Sequence, residues 1–270
     1  MASRELLDLL SDTRKQLEHL RVLGLEGVRA TTAAAPVIAA RPATPKYVPR
    51  SKPVIEEAPT ESIAVKSLFG DLSPAAAKLA PSTETFEQIH LEVGDCTRCP
   101  LYRERTHVVH TEGNRKARLM FVGEAPGADE DIKARPFVGR AGQLLTKIIE
   151  AIGLKREEVL IGNVNRCRPP GNRAPTTEEA SMCKPFLLRE IAVVQPEVIV
   201  VLGNTAMKNL LDTKEGITRL RGRFQDYKGI KVMPTFHPAY LLRDPSKKRE
   251  TWEDLKKVRD YLDSHRSDSC

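Results

Sequence analysis

No run of about 18 apolar residues occurs anywhere in the chain, so no stretch of it is suited to cross a bilayer as a helix. The opening Met1-Ala2-Ser3-Arg4-Glu5 lacks the basic-then-apolar order of a secretory signal. There is no even set of cysteines either: five, in a chain without a secretory signal, argue against a disulfide framework and favour metal binding. An excess of acid is also missing. Lysine and arginine total 43 against 36 acidic residues, a net charge of +7 in 270 residues, with an isoelectric point near 9.2. A basic balance of this kind favours an anionic partner such as nucleic acid. The expectation is therefore a protein of the cytoplasm, associated with the nucleoid and not with a membrane.

Three regions differ in texture. Residues 1–27 carry leucines at helical spacing and predict an amphipathic helix. Residues 29–82 are Ala-rich and hold Pro36, Pro42, Pro45, Pro49, Pro53 and Pro59. Such composition buries too little apolar area to offset chain entropy, which predicts a largely disordered linker. Residues 1–82 together read as an N-terminal extension whose function is not legible from its residues. Residues 83–264 read as one globular domain and 265–270 as a short tail.

Within the domain, four apolar runs read as buried strands: 119–122, 159–164, 198–202 and 231–236. Helical patterns lie between and after them, at 83–93, from Ala141, from Thr176 to Val194, from Asn204 to Leu211 and from Pro245 to Leu262. Thr176 and Glu179 form a capping box for the third helix, and Asn204 is placed to cap the fourth. Alternating strands and helices predict an α/β fold: a three-layer α/β/α sandwich around a four-stranded parallel sheet.

The stretch 119–145, LMFVGEAPGADEDIKARPFVGRAGQLL, is the one around which the domain is organised. It predicts a strand, a Gly/Pro loop carrying carboxylates and an aromatic, and then a helix. α/β folds build ligand sites from such loops at the carboxyl ends of strands. The cysteines suggest a second centre. Cys96-x-x-Cys99 is a local chelating pair, Cys167 follows the second strand, and Cys183 lies in the early turns of a helix. Four thiolates can hold a structural zinc or an iron–sulfur cluster, and spacing alone leaves both open. Cys270 reads as a bystander.

Four segments carry a resemblance: GEAPG at 123–127, RPFVGRAGQLL at 135–145, NVNRCRPPGNRAP at 163–175 and HPAYLLR at 237–243. With the four cysteines they resemble the family-four uracil-DNA glycosylases, the iron–sulfur branch of that superfamily, over about residues 84–263. The resemblance implies hydrolysis of the bond joining uracil to deoxyribose in DNA, single- or double-stranded; a monomer is expected, with residues 1–82 open to docking a repair or replication protein. It also implies a [4Fe–4S] cluster held by Cys96, Cys99, Cys167 and Cys183. Phe137 would stack on the flipped base and Asn163 would read its edge, accepting from N3–H and donating to O4. Cytosine presents the opposite pattern at both positions, so a fixed Asn163 rejects it.

By the same resemblance His237 would donate to uracil O2 as negative charge builds on the leaving base. Glu124, Ala125 and Pro126 would line the pocket; Glu124 either positions water or holds the loop. Ala125 stands where the best-known branch of the superfamily has an aspartate, and a small residue there is a feature of this branch. Glu130 would close the pocket against the thymine methyl, or be a solvated loop carboxylate. Arg166, Arg168, Arg173, Arg243 and Lys247, with Lys248 and Arg249, would meet phosphates. Tyr240, Leu241 and Leu242 would fill the gap left by the flipped base, or merely begin the last helix. Two other readings compete: a catalytically weak iron–sulfur protein that binds damaged DNA, and a zinc-stabilised nucleotide hydrolase. The second leaves HPAYLLR and RPFVG unexplained.

Overall fold

The structure is a computed structural model, and it describes residues 78–94 and 96–265. The helix and linker expected over 1–77, and Cys270 in the C-terminal tail, lie outside the described residues. Residues 79–82, assigned from sequence to the end of the linker, pack with the domain: Leu79 N–H donates to Lys228 O and Ser82 N–H to Ala192 O, both at 2.9 Å.

The chain enters through helix α1 (Phe86–Gly94), crosses a 3-10 turn at Pro100–Arg103, and reaches a short strand β1 (Glu112–Gly113). Then follow β2 (Leu119–Gly123), α2 (Ala128–Lys133), α3 (Arg140–Ala151) and β3 (Leu160–Asn163). The middle of the domain is α4 (Thr177–Val194), β4 (Val198–Leu202), α5 (Asn204–Leu211) and α6 (Ile217–Leu220). It closes with β5 (Gln225–Tyr227), β6 (Ile230–Thr235), α7 (Pro238–Arg243) and α8 (Lys248–Ser264).

The six strands form one sheet in the order β1-β3-β2-β4-β6-β5. The four expected strands make its parallel centre, β3-β2-β4-β6. The sheet is nevertheless mixed and not purely parallel, because β1 and β5 add antiparallel edges to β3 and β6. Two or three residues, Glu112-Gly113 and Gln225-Asp226-Tyr227, are too few to show an alternation, which is why these edges were not expected.

Period-2 alternation sorts the central strands onto two faces. Met120, Val122, Ile199, Val201 and Val232 face α4 and α5 through Leu187, Ile191, Met207 and Leu210. Leu119, Phe121, Val198, Val200 and Met233 face α3 and α8 through Leu145, Ile149, Leu255 and Val258. Every residue of β4 is buried because both faces are covered, which explains its unbroken VIVVL run. The capping box holds as read: Thr176 Oγ1 accepts from Glu179 N–H at 3.2 Å, and Glu179 Oε2 accepts from Thr176 N–H at 2.8 Å.

Two local expectations change. The acidic stretch 129–131 lies within the short helix α2 and not in open loop. Asn204 does not cap α5; Gly203 takes the cap position, and Asn204 Oδ1 accepts from Ile217 N–H at 3.1 Å.

Candidate active site

The parallel strands run from β2 outward to β3 on one side and to β4 and β6 on the other. The order therefore reverses between β2 and β4, and a crevice outside the carboxyl ends of the strands is the expected ligand position. A cavity of about 720 Å³ opens there. It brings together Glu124, Ala125, Pro126, Glu130, Phe137, Asn163, His237, Tyr240, Arg173 and Arg243, residues drawn from four separated segments.

Its floor is assembled by register. Gly123 and Asn163 are partners across β2 and β3, and the pairing continues as Val164 N–H donates to Gly123 O and Asn165 N–H to Glu124 O. A Cβ at Gly123 would overlap both the Asn163 carboxamide oxygen and the Phe137 ring, so only glycine lets these side chains meet over the strand end. Asn163 is 2% exposed, and its Oδ1 is buried without a hydrogen-bond partner. Buried acceptors are seldom left unpaired, and one on a residue that lines a cavity is suited to a ligand donor. Phe137 sits at φ 53°, a left-handed conformation that a bulky residue rarely adopts outside a functional site. Its ring lies 5.7 Å from the His237 ring, centroid to centroid, at 32°.

His237 occupies the cap position of α7, where its Nδ1 accepts from Ala239 N–H at 3.1 Å. An Nδ1 that accepts cannot carry the proton, so the neutral ring bears it on Nε2. Burial, with the Arg243 charge adding to it, pulls the imidazole pKa down to about 4. At neutral pH the ring is thus an uncharged donor through Nε2. Sequence could not decide that tautomer. On the other side of the crevice, burial raises the Glu124 pKa, and a hydrogen bond from Thr205 partly offsets this.

Glu130 lines the cavity, but its carboxylate is occupied. Oε1 accepts from Val138 and Gly139 N–H, each at 2.9 Å, and Oε2 from Gly127 N–H at 3.1 Å. It ties the two halves of the loop together and is not a solvated side chain.

Of the expected DNA contacts, Arg173, Tyr240 and Arg243 line the cavity, and Arg168 donates to Asn172 Oδ1 at 2.7 Å on its rim. Leu242 is 37% exposed, and Lys247 pairs with Glu250 at 2.7 Å. Two expectations are corrected. Arg166 is 1% exposed and turned inward, ion-paired with Glu190 and bonded to Thr111, so no phosphate reaches it. Leu241 is 1% exposed, because α7 packs that face against the domain, and it cannot act as a wedge. Thr205, Asn172 and Phe236 also line the cavity and were not singled out. For Thr205 the signal was available: residues just after β4 flank the reversal in strand order.

The cysteines meet at a second, smaller cavity. Cys96 and Cys99 are half-buried and Cys167 and Cys183 buried, and all four line one small cavity with Arg98, Arg105 and Phe186. Arg105 Nη1 donates to Cys167 Sγ, and Arg166 N–H to Cys183 Sγ, both at 3.3 Å. Burial pushes the Cys183 thiol up to about 12 and raises Cys167 and Cys99 as well, so thiolates here need a bound cation. Among the described residues no group of three or more His, Cys, Asp or Glu side chains is drawn close enough to hold one metal ion. Four sulfurs around a common cavity, with N–H donors and guanidinium charge beside them, suit a larger anionic group.

A parallel-centred sandwich with its crevice at the strand ends, a buried unpaired carboxamide and a neutral histidine donor matches a known enzyme class. The chain belongs to the uracil DNA glycosylase superfamily, whose family model matches residues 110–256. The type-4 branch is where its relatives concentrate. It is 49% identical over 183 residues to the type-4 uracil-DNA glycosylase of Thermotoga maritima, covering 66% of this chain and 95% of that one. It is 43% identical over 183 residues to that of Archaeoglobus fulgidus, covering 65% and 92%. Similarity to a type-5 enzyme of Pyrobaculum aerophilum is lower, 32% over 146 residues, covering 48% and 64%. Among the described residues no helix is long and apolar enough to cross a membrane.

Proposed function

We propose that this protein is a hydrolase that removes uracil from DNA, cleaving the N-glycosidic bond and leaving an abasic site for base excision repair in the cytoplasm. The observation that carries this reading is the buried, unpaired Oδ1 of Asn163, a residue that lines the same cavity as Phe137 and His237.

The target nucleotide leaves the stack and enters the crevice. Phe137 supports the face of the base. Asn163 Oδ1 accepts from uracil N3–H, which supplies the partner that it lacks in the free protein, and the amide donates to O4. His237 donates from Nε2 to uracil O2 as the glycosidic electrons move onto the base. Its low pKa keeps it neutral, so it stabilises the anion without handing over its proton. Water adds to the sugar carbon as that bond breaks, and its proton passes to a base. Glu124, made more basic by burial, faces the cavity where that water would sit. Ala125 has no group for this task. Glu130 fixes the loop that carries Phe137, and as part of the cavity lining it would limit room at C5 of the base.

Arg168, Arg173, Arg243 and Lys247 supply phosphate contacts that are salt-sensitive and independent of sequence. Tyr240 and Leu242 remain as the apolar fill for the vacated stack. Cys96, Cys99, Cys167 and Cys183 would hold the [4Fe–4S] cluster, with Arg105 and the Arg166 amide hydrogen-bonded to the sulfurs. Bound there, the cluster would cross-link the segment after α1, the β3 exit loop and α4. A labelled oligonucleotide with one uracil tests the function. Alkali-dependent scission at the uracil supports it, and no scission by folded, DNA-binding protein overturns it.

A further inference from the structure

We infer that Arg156, outside every motif that marks the active site, is a positioning residue that holds Phe137 in its base-stacking conformation. The inference rests on the reading of Phe137 as the base platform. Arg156 opens a 3-10 turn after α3, yet its guanidinium reaches back to the loop before that helix. Nη2 donates to Pro136 O at 2.7 Å, the carbonyl directly preceding Phe137, and Nη1 donates to Thr146 Oγ1 at 3.2 Å on α3. The side chain thereby ties the loop to the helix that follows it.

The loop requires such a tie. Ala134 and Phe137 both have positive φ, 54° and 53°, and neither is glycine. Conformations of this kind persist only where surroundings over-determine them. Three constraints converge on Phe137. Glu130 takes the amides of Val138 and Gly139 on its C-terminal side. Gly142 leaves room for it, since a Cβ there would overlap the Phe137 backbone. Arg156 takes the carbonyl on its N-terminal side, the only one of the three that fixes the peptide entering Phe137. Burial strips water from the guanidinium and lowers its pKa, while Glu112 and Glu130 supply compensating charge. A partly desolvated cation that bonds a loop carbonyl and a helix hydroxyl points to a conformational task.

A double-mutant cycle in the full-length holoenzyme tests this, read by single-turnover excision on a single-uracil oligonucleotide. Arg156→Gln is expected to lower the rate about tenfold, since small misplacements of a positioning group cost 10- to 100-fold. Arg156→Lys, which keeps the charge and one donor, is expected to recover most of it. Placed in a Phe137→Ala background, Arg156→Gln is expected to change the rate less than about twofold, because the group it positions is gone. If the two losses multiply instead, Arg156 acts through something else and the inference fails. If Phe137→Ala itself leaves excision unchanged, the platform reading fails first. Should Arg156→Gln not fold, Arg156→Met, which keeps the apolar stem and lacks every donor, runs the same cycle and decides it.

Discussion

Replacing Asn163 with alanine separates recognition from folding more cleanly than any other change in the crevice. A buried hydrogen-bonding group is ordinarily costly to delete because its partner is stranded, about 1–3 kcal/mol. Asn163 Oδ1 has no partner to strand: it is buried and unpaired at a residue only 2% exposed. Removing it relieves a desolvated acceptor while leaving a small void beside Gly123 and Phe137, and the two effects oppose each other. The expected change in stability is within about 1 kcal/mol, or about 2–4 °C in Tm for a domain of this size. Excision should respond very differently. The uracil edge loses one acceptor and one donor, about 1–3 kcal/mol each once water is excluded, so the combined loss is about 30- to 25,000-fold in single-turnover rate. Thermal unfolding and excision on a single-uracil oligonucleotide, run on the same preparation, give both numbers. An alanine variant that keeps wild-type excision, or one that loses activity only in step with a fall in Tm beyond about 8 °C, would refute the reasoning and make Asn163 a structural residue.

Three further outcomes are expected. His237→Ala should lower single-turnover excision about 100- to 1,000-fold, the usual loss of one donor to a developing anion; a loss under threefold removes His237 from the chemistry. His110 and His237 are both held to about pKa 4 by burial, against an ordinary value of 6.5. The unfolded chain binds these protons first, so their contribution is complete above pH 6.5 and is lost as pH falls toward 4. The loss is on the order of 2–3 kcal/mol per histidine. Tm scanned from pH 7.5 to 5 should fall more steeply in wild type than in a His110→Gln variant, and parallel curves would refute the assignment. With the proposed cluster bound, anaerobically purified wild type should be brown and Cys167→Ala colourless with a lower yield of folded material, whereas a brown and active variant would exclude Cys167 as a ligand.

What the sequence determined by itself was much of what neighbours along the chain govern. The unbroken VIVVL of β4 signals burial on both faces, and the Thr176–Glu179 box starts α4 where it was read. The segments ending at Gly123, Asn163 and His237 announce a site because strand ends, Gly/Pro loops and polar residues coincide there. Their recognition also owed much to a family resemblance, since an isolated Asn or Phe carries no role of its own. Tertiary structure decided what depends on side-chain direction and on long-range partners. Arg166 belongs to a basic run yet turns inward, because Glu190, from the far end of α4, waits there for it. Leu241 and Leu242 are adjacent in sequence but divided by the face of α7, one buried and one exposed. The proton on His237 is assigned by a backbone amide two residues on, and only after Pro238 begins a helix. Arg156 reaches Pro136 across the whole of α3. Local propensity has a range of a few residues, whereas these contacts are set by how the sheet registers and how helices pack on it, which no window of sequence contains.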